Sequence, residues 1–171
     1  MTDKFRKLNS LFTDSRFNVK NSTVILKSVE DTNEFGAKIA EVMFAQDQAP
    51  TQLSFCGEMG SGKSTLITAI IQYFLPKINV PSPSFSIMNS YDIPQINRQI
   101  HHCDLFRIKG RTLDQDNLEE LYNIGFFEAI KSGHCLVEWP INGIYTDDIC
   151  LNLSQNESNN QLQIELSRGI L

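Results

Sequence analysis

Gly57-Glu58-Met59-Gly60-Ser61-Gly62-Lys63-Ser64 is a complete loop of the form GxxxxGK[ST], and it decides how the chain folds. Glycines at these positions let successive backbone N–H groups turn inward around a phosphate. The lysine reaches the β- and γ-phosphates, and the Ser64 hydroxyl is placed for Mg²⁺. The flanks have the required character. Gln52-Leu53-Ser54-Phe55-Cys56 before the loop is short and strand-like, and Thr65 to Leu75 after it is apolar at helical spacing and stopped by Pro76. Strand, loop and helix in that order set the ligand on a helix N-terminus, which is itself an anion site.

Composition bounds the rest. The chain has 171 residues, 41% hydrophobic and 20% charged, values of one globular domain with a real core. A net charge of −5 argues against broad, non-specific nucleic-acid binding, while leaving room for a protein partner that holds RNA. The four cysteines, Cys56, Cys103, Cys135 and Cys150, form no CxxC pair. They read as free thiols of a reducing cytosol rather than zinc ligands. No apolar run approaches the ~20 residues of a membrane span, and the N-terminus carries no hydrophobic signal core. The expected location is cytoplasmic.

Working outward from the loop, residues 1–20 are polar with scattered phenylalanines and read as a tail or a short extra helix. Residues 21–171 read as a single domain. Thr23 to Leu26 is a short strand. Asp31 or Thr32 is placed to cap the helix that carries Phe35, Ile39, Val42 and Met43 on one face. Pro81 to Ser86 is a rigid, hydroxyl-rich loop leading into a strand at Ile87 to Tyr91, with Gln99 to Asp104 as its return. Arg111 to Glu120 reads as a charged loop with a short helix. A helix begins at Gly125, with Gly133 placed to cap its end. His134 to Glu138 is a buried strand ending in a carboxylate. Ile149 to Leu153 and Gln161 to Leu166 form a closing antiparallel hairpin around a polar turn.

A phosphate loop hydrolyses nothing alone. Mg²⁺ needs an acidic partner and the attacking water must be oriented. Ligands of open α/β sheets sit beyond the carboxyl ends of the strands, where two acids fall: Glu138 ends an apolar strand and Asp104 ends a less apolar one. Either is able to serve the metal. Ser82, Ser84 and Ser86 are in reach of a γ-phosphate. His101 and His102 alternate faces, cannot both serve one site, and are read as structural. Trp139, the only tryptophan, follows Glu138 and precedes Pro140, and either shields the site or packs in the core.

Together these motifs resemble the TsaE (YjeE) family of small bacterial ATPases. The matching pieces run in order: Thr32, Cys56 to Leu66, Ser82 to Phe85, His102-Cys103-Asp104-Leu105-Phe106-Arg107, Ile124-Gly125-Phe126 and Leu136-Val137-Glu138-Trp139-Pro140, spanning roughly residues 23 to 166. The resemblance implies an α/β, P-loop NTPase-like three-layer sandwich with a mostly parallel central sheet and antiparallel edge strands. It implies binding of ATP or ADP with Mg²⁺. Glu58 and Gly60 to Thr65 would bind phosphates, with Lys63, Ser84, Asp104 and Glu138 in catalysis. Ser64, Glu138 and Asp104 would serve the metal, and Thr32 would lie near the adenine. The implied role is a weak, partner-stimulated ATPase in threonylcarbamoyl modification of adenosine-37 in tRNA, acting with the TsaD–TsaB pair and meeting tRNA only through it. Ser64 and Ser84 stand where the family usually has Thr, and Phe106 where it has Tyr. An arginine often found on the last hairpin is replaced by Gln161 or Gln163.

Two other functions fit a phosphate loop. A P-loop kinase for a small metabolite would need an acceptor site and a base, for which Asp104 would serve, and a basic lid from Arg98, Arg107 or Arg111. A nucleotide-gated binding module would need no useful turnover.

Overall fold

The computed structural model describes residues 3–44, 50–108, 114–141, 144, 149–156 and 161–168. Eight strands make one sheet: β1 (Asn18–Lys20), β2 (Thr23–Leu26), β3 (Gln52–Cys56), β4 (Met88–Ile93), β5 (Arg98–Asp104), β6 (His134–Glu138), β7 (Ile149–Asn156) and β8 (Gln161–Arg168). Their spatial order is β1-β2-β8-β7-β3-β6-β5-β4. The centre, β7-β3-β6-β5, is parallel throughout, and antiparallel pairings flank it on both sides. This is the arrangement that the family resemblance implies.

Among the described residues five α-helices cover the sheet: α1 (Asp3–Leu11), α2 (Val29–Met43), α3 (Lys63–Phe74), α4 (Gln115–Asn123) and α5 (Phe126–Ser132). Two apolar clusters result. One joins α1, α2 and α3 to Leu53, Phe55, Ile100 and Leu136 of the central strands. The other joins Leu121 of α4 and Phe126 and Ala129 of α5 to Cys103, Cys135 and Val137. β6 contributes to both and is buried along its whole length, which is why its sequence is nearly continuously apolar rather than alternating. Among the described residues no helix is long and apolar enough to cross a membrane.

Helix α2 begins one turn earlier than Asp31 or Thr32 would have it. Ser28 is the cap: its hydroxyl accepts from the Asp31 N–H at 3.0 Å. Asp31 returns the favour by accepting from the Lys27 N–H at 2.8 Å. A serine followed three residues later by an acid satisfies two end groups reciprocally, so Asp31 is used inside the first turn. Gly133 does lie at the end of α5, but its φ of −125° is ordinary extended backbone. Its reason is steric, since a Cβ there would come within 2.5 Å of His101 Nε2. The closing hairpin is longer than its alternation indicates, and its turn, with Arg111 of the charged loop, lies outside the described residues.

The N-terminal segment packs as part of the body. Leu8, Leu11, Phe12 and Phe17 are buried. The Phe12 and Phe17 rings meet Phe35 of α2 edge-on at 5.9 and 5.0 Å.

Helices α2 and α3 pack tightly at Gly36, where a Cβ would lie 2.5 Å from the Ala69 Cβ and 3.2 Å from its backbone. Gly36→Val should therefore force α2 off α3, costing about 1–3 kcal/mol as overpacking does and lowering Tm by several degrees. A melting curve superimposable on the wild type would show that the pair has slack.

Candidate nucleotide site

A cavity of about 300 Å³ lies beyond the carboxyl ends of β5 and β6 and against the loop that follows β3. Met59, Gly60, Gly62, Lys63, Ser64 and Thr65 form one wall; Ser82, Ser84, Asp104, Phe106, Glu138 and Trp139 form the other. Gly60 and Gly62 have φ of 80° and 94°, the left-handed region that a side chain resists. Gly62 is the cap residue of α3 and, being glycine, has no side chain to hydrogen-bond the first turn. The first-turn N–H groups therefore face the cavity as donors with the positive end of the helix dipole behind them, an anion site.

Lys63 is only 4% exposed. Its Nζ donates to the carbonyls of Gly57 at 2.8 Å and Glu58 at 2.7 Å and approaches Ser61 Oγ at 3.4 Å. The Trp139 ring centroid is 4.2 Å away. Burial pulls the pKa of this ammonium down, against the opposing charges of Glu138, Asp104 and Glu58. Trp139 has φ of 55°. A bulky residue in that region is strained, and such strain concentrates at functional sites.

The two carboxylates stand side by side, Asp104 opposite Glu138 in the β5–β6 register. They are held differently. Asp104 Oδ1 accepts the Phe106 N–H at 3.0 Å. Its Oδ2 accepts the Ser84 hydroxyl at 2.8 Å, and Ser84 Oγ is 2.8 Å from Ser82 Oγ. Glu138 Oε1 accepts the Ser64 hydroxyl at 2.8 Å and lies 2.9 Å from His102 Nε2. The described residues hold no group of three or more His, Cys, Asp or Glu able to cage a metal by themselves. The hydroxyl and two carboxylates are nevertheless hard oxygen donors, the set Mg²⁺ takes when substrate phosphates supply its other positions.

A second cavity of about 270 Å³ shares Gly62 and Thr65 with the first and continues over Leu26, Lys27, Ser28, Val29, Thr32, Gln155 and Leu162. Thr32 thus lies in this neighbouring space, its hydroxyl donating to the Ser28 carbonyl at 3.0 Å. Gly60, Gly62, Lys63, Ser64, Thr65, Ser84, Asp104 and Glu138 come together as the sequence predicts. Glu58 and Ser61 do not line the cavity; they hold Lys63. Neither Gln161 nor Gln163 lines either space, and Gln155 does. Of the candidate lid arginines, Arg107 donates to the Phe85 carbonyl at 3.4 Å and Arg98 to the Ser132 carbonyl at 2.9 Å. None of the four cysteines forms a disulfide.

His102, expected to be structural, reaches the site through Glu138. Strand alternation separates it correctly from His101, whose Nδ1 meets Ser90 Oγ at 2.8 Å. The same alternation puts His102 on the face of Asp104, two residues on, and that was the available signal.

An uncapped helix N-terminus behind a glycine loop, with a buried lysine and two carboxylates at the strand ends, defines a P-loop nucleotide-binding protein. The comparisons carry this further. The family described as "Threonylcarbamoyl adenosine biosynthesis protein TsaE" matches residues 26–168, and the chain belongs to it. The tRNA threonylcarbamoyladenosine biosynthesis protein TsaE of Rickettsia bellii is 33% identical over 121 residues, 70% of this chain and 74% of the relative. That of Haemophilus influenzae is 26% identical, covering 76% of this chain and 80% of the relative. The crystal structure of Bacillus subtilus YdiB shares the fold, with a TM-score of 0.59 at 18% identity over 87% of this chain and 85% of that one.

Lys63→Ala should weaken ATP binding at least about tenfold, the loss of a charge-assisted contact of about 1.5–3 kcal/mol. Unchanged affinity by calorimetry in a folded variant would remove the loop from phosphate binding.

Proposed function

We propose that the chain binds ATP with Mg²⁺ and hydrolyses it, as the ATPase subunit that serves N6-threonylcarbamoyl modification of adenosine-37 in tRNA. The observation that carries the reading is the pair Asp104 and Glu138, in register at the end of two parallel strands and facing the Lys63–Ser64 loop. In this reading the backbone of Gly60 to Thr65 binds phosphates and Lys63 neutralises the β- and γ-groups. Thr32 and its cavity take the adenine. Ser64 and Glu138 would hold Mg²⁺, directly or through water, and the ion would supply positive charge to the phosphates. Asp104, steadied by Ser84, orients the attacking water and makes the Pro81–Ser86 loop responsive to what occupies the γ-phosphate position.

The names of the relatives place them in threonylcarbamoyladenosine biosynthesis, and this chain takes the same role. Its proposed partner is the TsaD–TsaB pair, with tRNA met only through that complex and the cytoplasm as its location. Met59, Phe85 and Phe106, respectively 73%, 90% and 45% exposed, rim the phosphate end. Apolar side chains left in water beside a site are what a partner surface offers. A partner seated there would meet whichever arrangement the nucleotide sets, which suits a switch coupled to turnover.

Two experiments test this. Turnover should release free phosphate rather than a phosphorylated metabolite, and should rise on adding TsaD–TsaB; a phosphorylated small molecule would make the chain a kinase, and binding without any turnover would make it a gated module. Glu138→Gln keeps shape and removes charge, so turnover should fall at least about a hundredfold, the scale of losing one electrostatic stabiliser of the transition state, with nucleotide affinity nearly intact. Full activity in that variant would move the metal to Asp104.

A further inference from the structure

His102 sits where packing alone would favour an apolar side chain. It faces the α1–α3 side of the sheet, paired with Leu136 in register and two residues from Ile100. It is completely buried. Placing a polar ring there costs free energy unless each ring nitrogen finds a partner. Only one does: Nε2 meets Glu138 Oε1 at 2.9 Å, while Nδ1 has no hydrogen-bond partner. A carboxylate oxygen accepts, so Nε2 carries the proton and donates.

Glu138 needs such a brace. A glutamate has one more rotatable bond than an aspartate, and fixing a flexible side chain costs entropy. Its Oε1 is held from two directions by independent elements, Ser64 from α3 and His102 from β5. The Ser64 hydroxyl is also a proposed metal ligand, whereas the buried imidazole is not in contact with the cavity.

We propose that His102 is a positioning residue for Glu138. Its Nε2–H clamps Oε1, leaves the second carboxylate oxygen to face the metal and phosphate side, and so sets the geometry of the Mg²⁺ site without touching nucleotide or metal. This rests on the ATPase reading for its catalytic consequence, but the clamp itself is a property of the nucleotide-free chain. Hydrogen-bonded partners of ligating carboxylates are worth about 10–100-fold in metal affinity or activity.

The test compares His102→Leu, which removes the donor, with His102→Gln, whose amide nitrogen stands the same number of bonds from Cβ as the imidazole Nε2. With TsaD–TsaB present, His102→Leu should lower kcat at least about tenfold while the KM for ATP changes little. His102→Gln should recover most of that loss. Adding His102→Leu to Glu138→Gln should cost almost nothing further, because the clamped charge is already gone. Paramagnetic resonance of Mn²⁺ with ADP should show weaker metal binding in His102→Leu, again by about tenfold, and near-normal binding in His102→Gln. Imidazole ¹⁵N spectra of the free protein should show a protonated Nε2 at His102 whose signal moves in Glu138→Gln. Wild-type turnover and Mn²⁺ affinity in a folded His102→Leu, equal damage in His102→Gln, or an unprotonated Nε2 would each overturn the clamp. A wild-type chain with no turnover would instead count against the ATPase reading, and the ¹⁵N spectra would still decide the clamp.

Discussion

Parallel pairing of β3 with β6 is the constraint on which the site depends. The register sets Phe55 beside Glu138, so the loop leaving β3 and the carboxylate ending β6 emerge at one level. Their meeting is sealed by the Ser64–Glu138 hydrogen bond across 74 positions of sequence. Parallel neighbours require a crossover, and α3 is part of it. Its first residues are the phosphate loop's lysine and serine, and its apolar faces fill the space between the sheet and α2. One helix therefore closes the crossover, fills the core and presents the anion site.

The two acids at the strand ends divide between rigid and responsive surroundings. Glu138 is tied inward, to α3 and to a fully buried histidine. Asp104 is tied outward, to Ser84 of the proline-bounded loop whose Phe85 stands almost wholly in water. A carboxylate anchored in a packed interior keeps its place whatever binds. One anchored to a surface loop shares its position with that loop, and passes movement either way. The proposed assignment, metal to Glu138 and switch to Asp104, follows this difference in anchoring.

Much of this was legible in the chain. The phosphate loop has a strict spacing because backbone geometry around a phosphate is strict, and the centre of β6, Cys135 to Val137, is an unbroken apolar run because both its faces are covered. Strand-terminal acids were legible for the same reason, since the ends of buried parallel strands are where such folds place ligands. What failed was local or long-range in a way composition does not encode. The cap of α2 was read one turn late because Asp31 is itself a good capping residue, and only its bond to Lys27 shows it already used. Gly133 is the cap residue of α5, as its position indicates, but the close approach of His101 on β5 is a second constraint that the local sequence does not show. The contact of His102 with Glu138 is not legible locally because the two lie 36 positions apart. Gln155 was passed over because the strands of the last hairpin run further than their alternation shows.

The boundary of sequence similarity is not the boundary of the folding unit. The family match begins at residue 26, inside β2, whose edge pairs with β1. Phe35, fully buried on α2, is sealed by rings from Phe12 and Phe17 that the match leaves out. A fragment cut to the matched region would strip β1 and all but the last residue of β2 from the sheet edge and wet an aromatic face in one step. It would acquire an unpaired edge and an apolar patch, the usual ingredients of aggregation. The first residues of this chain are thus structural material that a domain border drawn from relatives would discard.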